Sequence, residues 1–152
     1  MTTYSHWHVL FASPDEPIPK AKRVYQLTRM YNALKNMETA ETVTDDDWSC
    51  LSDCAMLMEA LYDMQVIQDP DDIIKDSFEA LGKSAYRKFN GRPFRLDGPD
   101  IQIIRLLLSE YANALEQLPA RTMIAAHRKA EKQAEAIARS KKIADMYRAM
   151  DK

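Results

Sequence analysis

The stretch that decides the fold is residues 96–127, LDGPDIQIIRLLLSEYANALEQLPARTMIAAH. Apolar residues recur along it at alternating steps of three and four, which places them on one face of an α-helix. The members of this stripe are Ile101, Ile104, Leu108, Tyr111, Leu115 and Leu118. Ile103, Leu107 and Ala114 widen the stripe. A stripe this broad belongs to a helix with several neighbours, so we expect it at the centre of a helical core.

The composition favours helix throughout the chain. Of its 152 residues, 46% are hydrophobic and 29% charged, with nine methionines and only three glycines. These values are ordinary for a soluble globular domain and favour helix over sheet. We therefore predict an all-α fold, a single-domain bundle of about five helices with a long C-terminal helix. The predicted organisation is an irregular N-terminal arm over residues 1–19, a helical core over 20–127 and a basic extension of the C-terminal helix over 128–152.

Local signals place the other helices of the core. A first helix is predicted over residues 20–37, with an apolar stripe formed by Val24, Leu27, Tyr31 and Leu34. Thr44 and Asp47 have the spacing of a capping box at the start of a second helix, predicted over 45–65. A third helix is predicted to end near Asn90-Gly91. Its predicted buried side consists of Ile73, Ile74, Phe78, Leu81, Ala85 and Phe89.

Charge is strongly segregated although the net charge is only −2. Residues 45–79 contain eleven acidic residues and one base, residues 83–95 contain five bases and no acid, and residues 121–152 contain nine bases and four acids. Opposite poles can simply solvate different faces of a domain. The alternative is that one pole meets a charged partner.

Two charged surfaces are candidates for such a partner. The basic C-terminal helix could contact nucleic-acid phosphates through Arg121, Arg128, Lys129, Lys132, Arg139, Lys141 and Lys142, although the sequence pI of about 5.9 argues against this. The acidic stretch could instead imitate DNA and occupy the basic groove of a host protein, using Asp46, Asp53, Asp63 and Asp72. A third interpretation is a protein–protein interaction. The thin apolar stripe of the C-terminal helix could pair with a second copy or with another protein.

Catalytic and metal-binding signals are weak. His6 and His8 flank Trp7, and they lack a fixed spacing to Cys50 and Cys54, the only cysteines. We therefore expect neither a metal nor a cofactor, and we expect the two cysteines to be free thiols in a reducing cytoplasm. A cysteine nucleophile would need a base, and only the fold could bring His127 or His6 close to either thiol. The sequence carries no G-x-S-x-G elbow, P-loop, HExxH or Rossmann fingerprint, so we expect no catalytic residues and no enzyme.

Two short segments carry a resemblance to other proteins. Arg95-Leu96-Asp97-Gly98 and residues 118–123, LPARTM, together with the pattern of residues 48–132, resemble small helical proteins of proteobacterial phages and plasmids. The resemblance implies an accessory role on a mobile genetic element in a bacterial cytoplasm, and it implies no activity and no site residues. With the apolar stripe of the C-terminal helix and the segregated charge, it leads us to expect a non-catalytic regulatory protein. Such a protein would bind a protein partner or self-associate, with no membrane span.

Overall fold

The computed structural model describes residues 16–39 and 43–150, with side chains described as far as Arg139. The described residues form five helices, which confirms the predicted all-α bundle with a long C-terminal helix. In chain order they are α1 (Lys20–Thr39), α2 (Asp45–Asp63), α3 (Ile73–Phe89), α4 (Gly98–Gln117) and α5 (Ala120–Met150). No described helix has an apolar stretch long enough to cross a membrane.

The predicted capping box is confirmed, and α4 also begins with a side-chain cap. The Thr44 hydroxyl accepts a hydrogen bond from the Asp47 amide at 3.2 Å, while the Asp47 carboxylate accepts one from the Thr44 amide at 3.0 Å. At the start of α4, the Asp97 carboxylate accepts a hydrogen bond from the Asp100 amide at 3.0 Å. Each cap satisfies backbone donors that have no partner inside their own helix.

The residue that caps the N-terminus of α3 is not the one that directly precedes the helix. Asp72 precedes the helix with a positive φ of 54° and makes no side-chain cap hydrogen bond. The Asp69 carboxylate instead accepts hydrogen bonds from the amides of Ile73, at 2.8 Å, and Ile74, at 3.0 Å. Asp69 therefore caps α3 from three residues further back.

Pro119 separates α4 from α5. Leu118 has an extended backbone with ψ 144°, so the helix ends before the proline and a new one begins at Ala120. The Ala120 amide donates to the Glu16 carbonyl at 2.9 Å, and Pro17 forms an isolated antiparallel bridge with Pro119. Ile18 is buried. The last residues of the predicted N-terminal arm, 16–19, thus pack against the core at this junction.

The core is shared between α2 and α4. Helix α2 packs against each of the other four helices, while α4 packs closely against α1, α2 and α3. In the stripe predicted for α4, Ile104, Leu108, Tyr111 and Leu115 are fully buried, and Ile101 and Leu118 are partly buried. The prediction that α4 lies in the core is confirmed, but α2 is the helix that contacts all the others.

Two predicted buried faces are wrong in part: Leu34, Ile74 and Leu81 are buried as predicted, but three other members are not. Val24 and Tyr31 are 53% and 44% exposed, and Phe89 is 84% exposed. The buried face of α1 passes through Gln26, Met30, Ala33, Leu34 and Met37, and that of α3 through Ile74, Ser77, Ala80, Leu81 and Ser84. Both faces include small or polar residues that hydrophobic periodicity does not register, because close helix packing requires small side chains as well as apolar ones.

Burial along α5 stops soon after the predicted end of the core. Ala126 and Ala130 are fully buried, whereas the described side chains of residues 134–139 are all exposed. Ile137 is 63% exposed. The helix itself continues to Met150.

Candidate functional site

An open groove lies between the C-terminal half of α2 and the first half of α3. Its cavity volume is about 370 Å³. The residues that line it are Glu59, Tyr62, Asp63, Asp69, Asp72, Ile74, Lys75, Phe78 and Glu79. We call this feature the acidic groove, because five of its nine residues are carboxylates and only Lys75 is a base.

Two carboxylates of the acidic groove, Glu59 and Asp63, lie close enough to interact electrostatically. The pKa of Glu59 is raised, first by burial and then by the neighbouring charge of Asp63. Such mutual repulsion produces a negative potential that a cation would relieve. Tyr62 adds an aromatic ring that is 50% exposed. The groove thus offers both negative charge and an aromatic face to a positively charged ligand.

The fold, rather than any single motif, assembles the acidic groove. Asp69 is held by its two hydrogen bonds to the start of α3, and Asp72 stands beside it at the helix entrance. Asp63 is the last residue of α2 and accepts a hydrogen bond from Gln133 Nε2 at 3.3 Å. Because Gln133 belongs to α5, the basic C-terminal helix passes the rim of the groove.

The four acidic residues predicted as a partner surface do not lie together. Asp63 and Asp72 both line the acidic groove. Asp46 is exposed at the opposite end of α2, and Asp53 lines an internal cavity. The composition of residues 45–79 indicated an acidic surface, but Glu59, Asp69 and Glu79 were missed. Only the packing of α3 on α2 shows that these three face the same space.

The predicted basic residues of α5 are placed as a row. Arg121, Arg128, Lys132 and Arg139 follow one another at steps of seven, four and seven, which keeps them on one face of the helix. All four are exposed, and the buried residues Met123, Ala126 and Ala130 lie on the opposite face. Lys129 is partly buried beside the row, and Arg139 lies 3.9 Å from Glu135. The side chains of Lys141 and Lys142 lie outside the described residues.

A second polar site lies inside the protein, where α1, α2, α4 and α5 meet. It is a cavity of about 10 Å³ lined by Gln26, Arg29, Met30, Cys50, Asp53, Cys54, Leu57, Tyr111 and His127. The Cys50 thiol donates to the Met30 sulfur at 3.4 Å. The fold therefore does bring both cysteines and His127 to one cavity, which the sequence could not indicate because they come from distant helices.

The electrostatics of this cavity oppose thiol chemistry. Burial raises the pKa of both thiols, most strongly that of Cys54, and burial lowers the pKa of His127 to about 4. Near neutral pH the cysteines are therefore thiols and the histidine is uncharged. A cavity of about 10 Å³ has room for roughly one water molecule. This arrangement provides neither the thiolate nor the substrate space that a cysteine nucleophile requires.

Metal-binding side chains are scattered over the part of the chain whose side chains are described. No three of its histidine, cysteine, aspartate and glutamate side chains are arranged to hold a metal ion. Both cysteines are free and buried. His6 and His8 lie outside the described residues, so the predicted absence of a metal involving them stays a prediction.

Comparison with known protein families, curated proteins and solved structures found no match for this chain. The resemblance to phage and plasmid proteins therefore stays a prediction. The acidic groove, the adjacent basic helix and the internal polar cavity are the features from which a function can be argued.

Proposed function

We propose that this protein is a non-catalytic interaction protein that self-associates. In the associated form, the exposed basic part of α5 from one copy lies in the acidic groove of a second copy. The observation that carries this proposal is the position of the groove, which opens where α5 leaves the core. Gln133 contacts the groove at Asp63, and the described side chains beyond it, those of residues 134–139, are all exposed.

The exposed residues 134–139 of α5 support the proposal on energetic grounds. A helix with few apolar contacts is marginal in water unless it packs against another element. Ile137 is 63% exposed, and the residues around it are also exposed. Burial of Ile137 against Tyr62 or Phe78 of a second copy would remove apolar surface from water on both sides. The partner surface must also accept positive charge, and the acidic groove does.

The adjacent positions of the two surfaces favour a symmetric dimer. Because α5 leaves each copy at the rim of its own groove, one two-fold axis allows both helices to cross and occupy the opposite groove. Such an interface is isologous, so it closes with two copies and does not propagate into a filament. Its charged contacts would be partly screened by salt, with a Debye length of about 8 Å at physiological ionic strength.

Light scattering over a concentration series tests the proposal. We expect a dimer that dissociates on dilution and more readily at high salt. The groove variant carries Asp63→Asn, Asp72→Asn and Glu79→Gln. The first change keeps an oxygen acceptor for Gln133, and asparagine tolerates the positive φ at the second position. Loss of three interfacial charge pairs should weaken association roughly tenfold or more.

A matched variant controls for total charge. Asp46→Asn, Glu110→Gln and Glu116→Gln neutralise three exposed carboxylates outside the groove. We expect this control to dimerise like wild type. A wild-type protein that stays monomeric at every concentration overturns the proposal, as does equal weakening by the two variants.

A further inference from the structure

The C-terminal end of α3 presents two aromatic rings to solvent. Phe89 is 84% exposed and Tyr86 is 71% exposed, more than any other large hydrophobic side chain with described burial. They are three residues apart on the helix, so their Cβ atoms are neighbours on one face, roughly 5–6 Å apart. Exposed rings in adjacent positions are costly to keep in water, so their position suggests a ligand with flat apolar faces.

Basic residues are concentrated in the part of the chain that carries these rings. Residues 83–95 contain five bases and no acid. Two of the bases have internal partners: Lys83 lies 3.8 Å from Asp100, and Arg87 lies 3.5 Å from Asp97. The remaining three are Lys88, Arg92 and Arg95, all exposed. Within the described part of the chain, Arg92 and Arg95 form no ion pair. We call Tyr86, Lys88, Phe89, Arg92 and Arg95 the aromatic–basic patch.

The loop that carries Arg92 and Arg95 is held in one conformation. Gly91 has a φ of 77°, and this left-handed residue lets the Arg92 amide donate to the Arg87 carbonyl at 2.9 Å. The Gly91 amide donates to the Lys88 carbonyl at 3.1 Å, which completes a Schellman motif. The Arg87 guanidinium also donates to the Arg95 carbonyl. The loop is therefore ordered before any ligand arrives.

Phe94, one of the two residues between these arginines, anchors the loop to the core. Phe94 is 9% exposed, and its ring stacks on Trp48 at 5.9 Å between centroids. The Trp48 indole nitrogen donates to the Leu81 carbonyl at 2.9 Å. Lys88 lies over the outer side of the Phe94 ring, 5.5 Å from its centroid. Phe94 thus holds the loop while Arg92 and Arg95 on either side point their charges to solvent.

A structural role explains only part of the aromatic–basic patch. Bases in the last turn of a helix are stabilised by its dipole, which accounts for Lys88. The dipole does not account for Arg92 and Arg95, which lie beyond the helix end. It also gives no reason for two exposed aromatic rings.

We infer that the aromatic–basic patch binds single-stranded nucleic acid. Unpaired bases stack on Tyr86 and Phe89, while Lys88, Arg92 and Arg95 contact the phosphates. Aromatic platforms beside a cationic track are the usual way in which proteins hold a single strand without reading its sequence. A duplex keeps its bases stacked on each other and would offer this patch only phosphates.

An anionic membrane is a weaker match to the same surface. Interfacial membrane binding needs a continuous apolar helix face that enters the headgroup region. Here only two rings are exposed, and Arg87 and Lys88 separate them along the chain. The chemistry therefore favours flat, separated bases with phosphates between them.

Fluorescence anisotropy with labelled oligothymidine and oligouridine tests the inference. We expect binding to at least one of them, weaker binding to a duplex of equal length, and a salt dependence with a slope of about −2 for three phosphate contacts. Tyr86→Ser with Phe89→Ser should weaken binding roughly tenfold or more, through loss of stacking. Arg92→Gln with Arg95→Gln should reduce both the affinity and the salt slope.

Control variants separate this patch from other surfaces. Tyr25→Ser removes a ring that is 57% exposed and also lies beside an arginine, with Arg29 at 5.9 Å from its centroid, and should leave binding unchanged. Neutralisation of Lys132 and Arg139 to glutamine tests the basic row of α5. The inference is overturned if oligonucleotides do not bind at low salt, or if binding requires the α5 row and survives the Tyr86/Phe89 change. Binding to phosphatidylserine vesicles alone, with the same residue dependence, also overturns it.

Discussion

His127 makes folding stability depend on pH. Its pKa is lowered to about 4 by burial, whereas an unfolded histidine titrates near 6.5. Between these values the unfolded chain binds a proton that the native protein does not. The contribution of His127 to the free energy of unfolding is therefore present in full above about pH 6.5. It is lost as the pH falls toward 4, and the loss is about 3 kcal/mol at most.

Urea unfolding at about pH 7 and about pH 4.5 measures this effect. The wild type should lose more stability on acidification than His127→Gln, whose side chain does not titrate. The comparison between the two proteins cancels the carboxyl groups that titrate in both. Equal losses would mean that His127 is protonated in the native protein.

Two buried serines of α3 allow the stabilising effect of a single buried hydrogen bond to be tested. Ser77 and Ser84 are both fully buried, seven residues apart. The Ser77 hydroxyl donates to the Ile73 carbonyl at 2.7 Å, whereas the Ser84 hydroxyl has no hydrogen-bond partner among the described residues. We expect Ser84→Ala to be neutral or to stabilise the protein by up to about 1 kcal/mol, and Ser77→Ala to destabilise it by about 1 kcal/mol. Thermal melts that rank the two variants in the opposite order contradict this.

At the scale of the element, α4 allows a matched test of core packing. Leu108 and Leu115 are almost completely buried, while Leu106 on the same helix is 53% exposed. Alanine at either buried position should cost ~2–5 kcal/mol, because a cavity is left behind. Alanine at Leu106 should change stability by no more than about 0.5 kcal/mol. Chemical denaturation of the three variants decides this, and a Leu106 variant as unstable as the others would place that side chain in an interface.

The sequence predicted helices better than it predicted their buried faces. The α4 stripe was predictable because large apolar residues fill it, and the Thr44 and Asp97 caps because cap chemistry is local. The buried face of α1 was predicted only at Leu34, since it also uses Ala33 and Gln26 while Val24 and Tyr31 lie outside it. Which side of an amphipathic helix is covered depends on neighbours that are distant in sequence.

At the scale of the whole molecule, charge segregation was predictable but its geometry was not. The acidic run of residues 45–79 lines a groove only where α2 leads into α3, near Asp63 and Asp72. The basic C-terminal helix reaches the rim of that groove through Gln133. No local pattern relates these residues, because their proximity results from the packing of α5 on α2.

The folded chain separates its charged features in space. The acidic groove lies at the start of α3 and the aromatic–basic patch at its end, with the basic row on α5. A dimer formed through the groove and α5 would leave both copies of the patch exposed. The proposed dimerisation and the proposed nucleic-acid binding should therefore be separable, and each has variants that should leave the other intact.

Complementation between two variants tests self-association most directly. One partner is the groove variant, and the other carries Lys132→Gln, Arg139→Gln, Lys141→Gln and Lys142→Gln on α5. In a crossed dimer, a mixed pair keeps one intact groove and one intact basic helix that face each other. Sedimentation velocity should find each variant mostly monomeric alone and a heterodimer in the equimolar mixture. A mixture that sediments as the sum of two monomers, or variants that each dimerise like wild type, would contradict the crossed dimer.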